Sequence, residues 1–172
     1  MSIHVREARV EDARGIIQVL NPIIEARANS VLTVTFSEEQ EREFIEQFPR
    51  RGIFHVAVGD DETIVGFQTV EPFATYTPDF DHVGTIGTFV SMSHQKQGIG
   101  KNLFRATFQL AIAKGYEKLF AYVRADNTAG LAAYLGQGFN KIGIAQKHAK
   151  IGERYVDEII IERLLSVCTA LD

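Results

Sequence analysis

Apolar residues recur along this chain with two spacings, and the alternation between them predicts the order of elements. Ile3 to Ala8 alternates like a short strand. Glu11 to about Arg27 repeats apolar residues at helical spacing, with a break or bend expected near Pro22. Val31 to Phe36 is β-branched and aromatic. Ser37, followed by Glu38, Glu39 and Gln40, has the form of a helix N-cap, and the helix it starts should run to about Phe48. Phe54–Val58 and Ile64–Val70 read as strands joined by a Gly59-Asp60-Asp61 turn. Glu71 to His82 holds two prolines and several aromatic residues, and reads as a loop. Val83–Met92 is a long strand and Gly98–Lys114 a helix ended by Gly115. Leu119–Val123 is apolar throughout, as a strand covered on both sides is. Thr128 to about Leu135 is a helix, and Ile142–His148 and Tyr155–Leu164 are strands joined through Gly152.

Short turns can join only antiparallel neighbours, whereas the later strand–helix–strand alternation implies crossovers. The expected class is therefore α/β (α+β), with a mixed, mostly antiparallel sheet of about seven strands and helices on both faces. At 172 residues one domain, 1–172, is the simplest organisation.

Charge and composition narrow the function. The formal net charge is −4, against a general nucleic-acid surface, since polyanion binding needs a basic footprint. No run approaches the ~18 apolar residues of a membrane span, and the first residues lack the apolar core of a signal peptide. The single cysteine, Cys168, permits no intrachain disulfide and fits a reducing cytoplasm. His4, His55, His82, His94 and His148 are dispersed, with no paired spacing that suggests a metal site.

The stretch SHQKQGIGKN, residues 93–102, holds two glycines between a strand and a helix. It fails as a Walker loop, because Gln95 and Asn102 stand where glycine and Ser or Thr are required. It fails as a dinucleotide fingerprint, because Leu103 replaces the third glycine. The local physics still suits an anion. The first turn of a helix leaves N–H groups without intrahelical partners, and Gly98 and Gly100 leave them unobstructed. Lys96, Lys101 and Arg105 add positive charge nearby.

Gln95-Lys96-Gln97-Gly98-Ile99-Gly100 matches the Gln/Arg-x-x-Gly-x-Gly/Ala motif of the GNAT N-acetyltransferase superfamily. Asn127, Tyr134 and Gly138-Phe139 resemble the family's second signature. The first third of the chain loosely resembles phosphinothricin-type and amino-acid N-acyltransferases. The resemblance implies the GNAT acyl-CoA transferase fold, with acetyl-CoA as co-substrate in a cleft between two splayed parallel strands, here Val83–Met92 and Leu119–Val123. It implies that the backbone of Phe89 and Val90 meets the pantetheine arm, with an oxyanion-binding N–H near Val90. It places the diphosphate on the loop of Gln95, Lys96, Gln97, Gly98, Ile99, Gly100, Lys101 and Asn102. Asn127 would touch the pantetheine arm, although it also suits a helix N-cap. Tyr134 would bind the cofactor and act as general acid to the departing thiolate; its other reading is a core tyrosine beside Leu131 and Leu135.

The base is not evident. Some relatives carry a glutamate on the long strand where this chain has Thr85. Glu71, Asp81, His82, His94 and Glu158 are candidates, as is a water chain. Asp157 and Glu158 fall on opposite faces of their strand, so at most one points into the site. Phe36, Glu71, Thr85 and Tyr155 are candidate acceptor-pocket residues. No Cys-His nucleophile pattern is visible, which favours direct transfer. The reading is acetylation of a primary amine of a small molecule, an amino acid or its analogue. A protein N-terminus or lysine is the enzyme alternative, and a non-catalytic CoA-binding sensor the alternative of another class. Sheet edges and the apolar C-terminal strand suggest a homodimer.

Overall fold

The structure is a computed structural model that describes residues 2–165. Cys168 lies outside the described residues. Seven strands, β1 (His4–Glu7), β2 (Ile53–Val58), β3 (Ile64–Pro72), β4 (Val83–Val90), β5 (Lys118–Arg124), β6 (Asn140–Ile151) and β7 (Arg154–Leu164), form one sheet in the order β1-β2-β3-β4-β5-β7-β6. The β4–β5 pair is parallel and the other pairs are antiparallel. The mixed, mostly antiparallel sheet read from the sequence is therefore the one observed.

Four helices cover the sheet: α1 (Ala13–Ala26), α2 (Glu38–Glu46), α3 (Ile99–Ala113) and α4 (Thr128–Leu135). Strand alternation sends neighbouring residues of β2 to opposite sides. Phe54, Val56 and Val58 pack with Ile16, Val19 and Ile23 of α1. Ile53 belongs to the core on the other face, with Ile86, Phe104, Ala111, Leu131 and Tyr134. So α1 and α2 cover one face, and α3 and α4 the other.

Two local outcomes differ from the sequence reading, at Pro22 and at Glu71–Pro72. Pro22 does not break the first helix, which runs through it from Ala13 to Ala26. Pro22 is exposed, as is Gln18, whose carbonyl loses its helical donor there, so water can serve it. Val31–Phe36 forms no strand. Its end is held by one side chain, because Asn21 Nδ2 donates to Phe36 O (2.9 Å) and Phe36 N donates to Asn21 Oδ1 (3.0 Å). The segment expected as a loop from Glu71 contributes two residues to β3, with Pro72 opposite Gly84. The Ser37 cap is present as read: its hydroxyl accepts from Gln40 N, and Gln40 Oε1 accepts from Ser37 N.

Candidate active site

Parallel strands β4 and β5 pair only over Val83–Thr85 and Lys118–Phe120. Beyond Thr85 the β5-facing edge of β4 has no strand beside it, and a cavity of about 770 Å³ opens there. Which backbone groups face this cleft follows from the ladder on the opposite side. Ser91 N donates to Val65 O, and Val83 O accepts from Phe73 N, so odd-numbered residues of β4 turn their polar groups toward β3. By alternation the N–H and C=O of Ile86, Thr88 and Val90 point into the cleft. Val90 is thus placed as expected. Phe89 is a correction, for its backbone belongs to the β3 ladder opposite Phe67. What Phe89 presents to the cavity is its ring, stacked on Phe67 at 4.8 Å.

The glycine loop sits at the end of β4. Gly98 caps α3 at φ 78°, and no side chain caps the helix. Lys96 also has a positive φ, 63°. Asn102 N is the first donor satisfied within the helix, bonding to Gly98 O, so the N–H groups of Ile99, Gly100 and Lys101 are left for another acceptor. A Cβ at Gly98 or Gly100 would meet nothing within 4 Å, so the space in front of these amides is open. Gln95, Lys96, Gln97 and Lys101 are exposed around it, while Ile99 anchors the turn in the core. Asn102 Oδ1 accepts from Arg105 at 3.2 Å. A cleft edge of unpaired peptide groups ending at a bare helix N-terminus suits an extended amide chain with a phosphate at one end. The residues present therefore fit acetyl-CoA.

Tyr134 lines the cavity from α4 and is buried, with Phe104 and Phe139 edge-on to its ring at 5.2 and 5.1 Å. Burial pushes its phenol up to about 12, so it is protonated throughout the neutral range. Its hydroxyl lies 2.9 Å from Thr88 Oγ1, which also accepts from Gln68 Nε2 at 2.8 Å. Gln68 and Thr88 are direct cross-strand partners. With the amide donating to it, Thr88 can donate its own proton to Tyr134 Oη, which frees the tyrosine's proton for a partner in the cavity. Gln68 Oε1 is buried without a partner. Sequence reading gave no sign of this relay, because Gln68 and Thr88 become neighbours only by strand register.

Asn127 borders the cavity, and its polar atoms are engaged. Oδ1 accepts from Gly130 N (2.9 Å), capping α4, and Nδ2 donates to Asn29 O (3.3 Å). Arg124, 3% exposed, closes the same wall. Its Nη1 donates to the carbonyls of Arg27 and Ser30, and its Nε and Nη2 fork onto Asp126. That guanidinium holds the Asp126 carboxyl below the usual carboxylate range.

The acceptor side of the cavity lies under α1 and α2. Phe36, Glu71 and Thr85 line it as expected, and Glu71 stands directly opposite Thr85 across the β3–β4 ladder. A carboxylate thus stands one strand away from Thr85. Glu158 also lines the cavity, raised by burial and 3.9 Å from the His148 ring. Asp157, on the opposite face, accepts from Lys147 N. Tyr155 is a second correction. It is 55% exposed, lies outside the cavity wall, and has Lys147 and Lys150 over its ring. Three candidate bases are also outside the wall: Asp81 pairs with Arg51, His82 is exposed, and His94 Nδ1 bonds to Ser93 Oγ.

A cavity carboxylate that sequence reading missed is Glu41. It is 5% exposed, lines the cavity from α2, and has no hydrogen-bond or ion-pair partner among the described residues. Burial pushes its carboxyl up to about 7. A signal was present: Glu41, Phe44, Ile45 and Phe48 follow i, i+3, i+4, i+7, so the carboxylate heads the apolar stripe. No group of three or more His, Cys, Asp or Glu side chains gathers as a metal cluster among the described residues, and no described helix is long and apolar enough to cross a membrane.

Residues 22–139 match the model of the acetyltransferase (GNAT) family, and the chain belongs to that family. It is 34% identical over 86 residues to a mycothiol acetyltransferase of Corynebacterium aurimucosum, covering 50% of this chain and 27% of that protein. It is 33% identical over 98 residues to the N-alpha-acetyltransferase RimI of Mycobacterium tuberculosis, covering 56% of this chain and 58% of the relative. The chain thus matches about a quarter to a little over half of these relatives' lengths. Its fold is that of a phosphinothricin acetyltransferase from Sinorhizobium meliloti solved with acetyl-CoA, with a TM-score of 0.87, 18% identity, and 100% and 93% of the two chains covered.

Proposed function

We propose that the protein is an acetyl-CoA-dependent N-acetyltransferase that acetylates a primary amine of a small molecule by direct attack in a ternary complex. The observation that carries this reading is the cavity itself. It runs from the open edge of β4 and the Tyr134 hydroxyl to a wall of carboxylates under α2, so donor and acceptor can meet across one gap.

The backbone of Thr88 and Val90 aligns the pantetheine arm, and the Ile99–Lys101 amides hold the diphosphate, with Lys96 and Lys101 alongside. The acceptor arrives as an ammonium, whose ordinary pKa is about 10.4, and must lose a proton before attack. Glu41 takes that proton, because its raised pKa lies near working pH, where a general base is most effective. The free amine attacks the thioester carbon, and the Val90 N–H meets the oxyanion. The intermediate collapses with cleavage of the C–S bond. Tyr134 donates its proton to sulfur and regains one as the new amide nitrogen sheds its extra proton, while Thr88 steadies the phenol oxygen. Burial that disfavours a phenolate equally disfavours a thiolate in the same place, so the high pKa of Tyr134 does not oppose this donation.

Support for a small acceptor comes from the walls of the pocket, where the Asn29–Phe36 segment and α2 stand beside the sheet face. A peptide amino terminus is a second reading, favoured by the likeness to RimI. Amine-dependent release of thiol from acetyl-CoA, measured across small amines and short peptides, tests both. Tight CoA binding with no release across the panel would overturn the enzyme reading in favour of a sensor. Light scattering reads the expected homodimer, and cell fractionation reads the expected cytoplasmic location.

A further inference from the structure

The charges facing the acceptor pocket are one-sided. Glu41, Glu43, Glu71 and Glu158 line the cavity, and among the described residues the single cationic side chain in its wall is Arg124. Arg124 is not free to meet a ligand anion. Its guanidinium forks onto Asp126, and its remaining nitrogen is held by the carbonyls of Arg27 and Ser30. A second observation points to a ligand of positive charge. Glu41 is more than nine-tenths buried, faces the cavity, and has no partner among the described residues. A buried carboxylate without a counter-charge is costly unless something that binds there supplies one. Between the carboxylates the wall is aromatic, formed by Phe36, Phe44, Phe67 and Phe89. Such rings accept methylene chains and the faces of ammonium groups.

We propose that the acceptor is an aliphatic diamine or polyamine, with a second cationic centre and no carboxylate; this rests on the acetyltransferase reading above. One amine reaches the thioester beside Glu41, and the second is held by the other carboxylates that line the pocket, Glu43, Glu71 and Glu158. The proposal departs from the expected amino acid acceptor, because an α-carboxylate would enter a wall that, among the described residues, holds four carboxylates and no uncommitted cation.

The test is isothermal titration of the CoA-saturated protein with 1,5-diaminopentane and with lysine, which is the same diamine bearing a carboxylate. The diamine is expected to bind at least ten-fold tighter, and Glu43→Gln and Glu71→Gln each to weaken it several-fold. Lysine binding as tightly as the diamine, or more tightly, overturns the proposal. So does diamine affinity unchanged in both variants. Thiol release from acetyl-CoA separates the two levels of inference. Diamine preference in binding without release upholds the pocket's ligand class and sinks the enzyme reading. Release that favours lysine upholds the enzyme and sinks the diamine.

Discussion

Replacing Glu41 with Gln should make the protein more stable and less active, and the stability gain should depend on pH. The carboxyl is raised from its ordinary 4.5 to about 7 by burial. In the folded protein it therefore holds its proton where the unfolded chain has lost it. The sign follows from linkage: between pH 4.5 and 7 the folded state binds more protons, so stability falls as pH rises. The penalty is absent below about 4.5 and complete above about 7. At ~1.4 kcal/mol for each factor of ten it amounts to about 3 kcal/mol in a dry site. The cavity lets water reach one side of the carboxyl, so about 2 kcal/mol is the figure we expect. For a domain of this size that is a rise in Tm of roughly 4–8 °C at pH 8, shrinking to nothing toward pH 4.5. Calorimetric melting of both proteins from pH 4.5 to 8 measures it directly. The same variant lacks the proposed base, so kcat at pH 7 should fall by roughly 10²-fold. A Tm difference that stays flat across this range would show that Glu41 is not buried as a lone carboxyl. A gain in Tm with kcat intact would leave the burial argument standing and remove Glu41 from the chemistry.

Three further outcomes follow from the geometry. Tyr134→Phe should lower kcat by roughly 10²-fold or more and change its alkaline limb, with KM for acetyl-CoA little altered; unchanged kcat and pH profile would refute the acid role. Thr88→Val strips the shared partner from Gln68 Nε2 and the Tyr134 hydroxyl. It should cost about 1–3 kcal/mol in denaturant unfolding and move the alkaline limb of kcat, whereas a purely structural role would leave that limb in place. Gly100→Ala adds a Cβ that meets nothing within the protein. Helix propensity should raise stability by roughly 0.5–1 kcal/mol, while KM for acetyl-CoA rises about ten-fold if the diphosphate lies against the bare amides; an unchanged KM would place the phosphates elsewhere.

What the sequence by itself determined was local or motif-borne. Element order, the Ser37 cap and the glycine turn before α3 each depend on a few contiguous residues, and each is present in the structure. The spacing of Gln95–Gly100 from Asn127, Tyr134 and Gly138-Phe139 carried the family, and the match over residues 22–139 bears it out. The acceptor side is different because it is assembled from distant segments. Glu41 reads as one more charge in an acidic helix until α2 packs down and buries it. Glu71 comes to stand opposite Thr85 only through the register of β3 on β4. Tyr155 alternates into a plausible face, yet its end of the β6–β7 hairpin lies beyond the cavity. Which backbone groups face the cleft was decided by the partner that β4 has on one side and lacks on the other. Local spacing determines where a helix starts and which residues share its face. Burial, charge balance and the direction of a peptide group belong to pairs of elements, and only the tertiary structure brings those together.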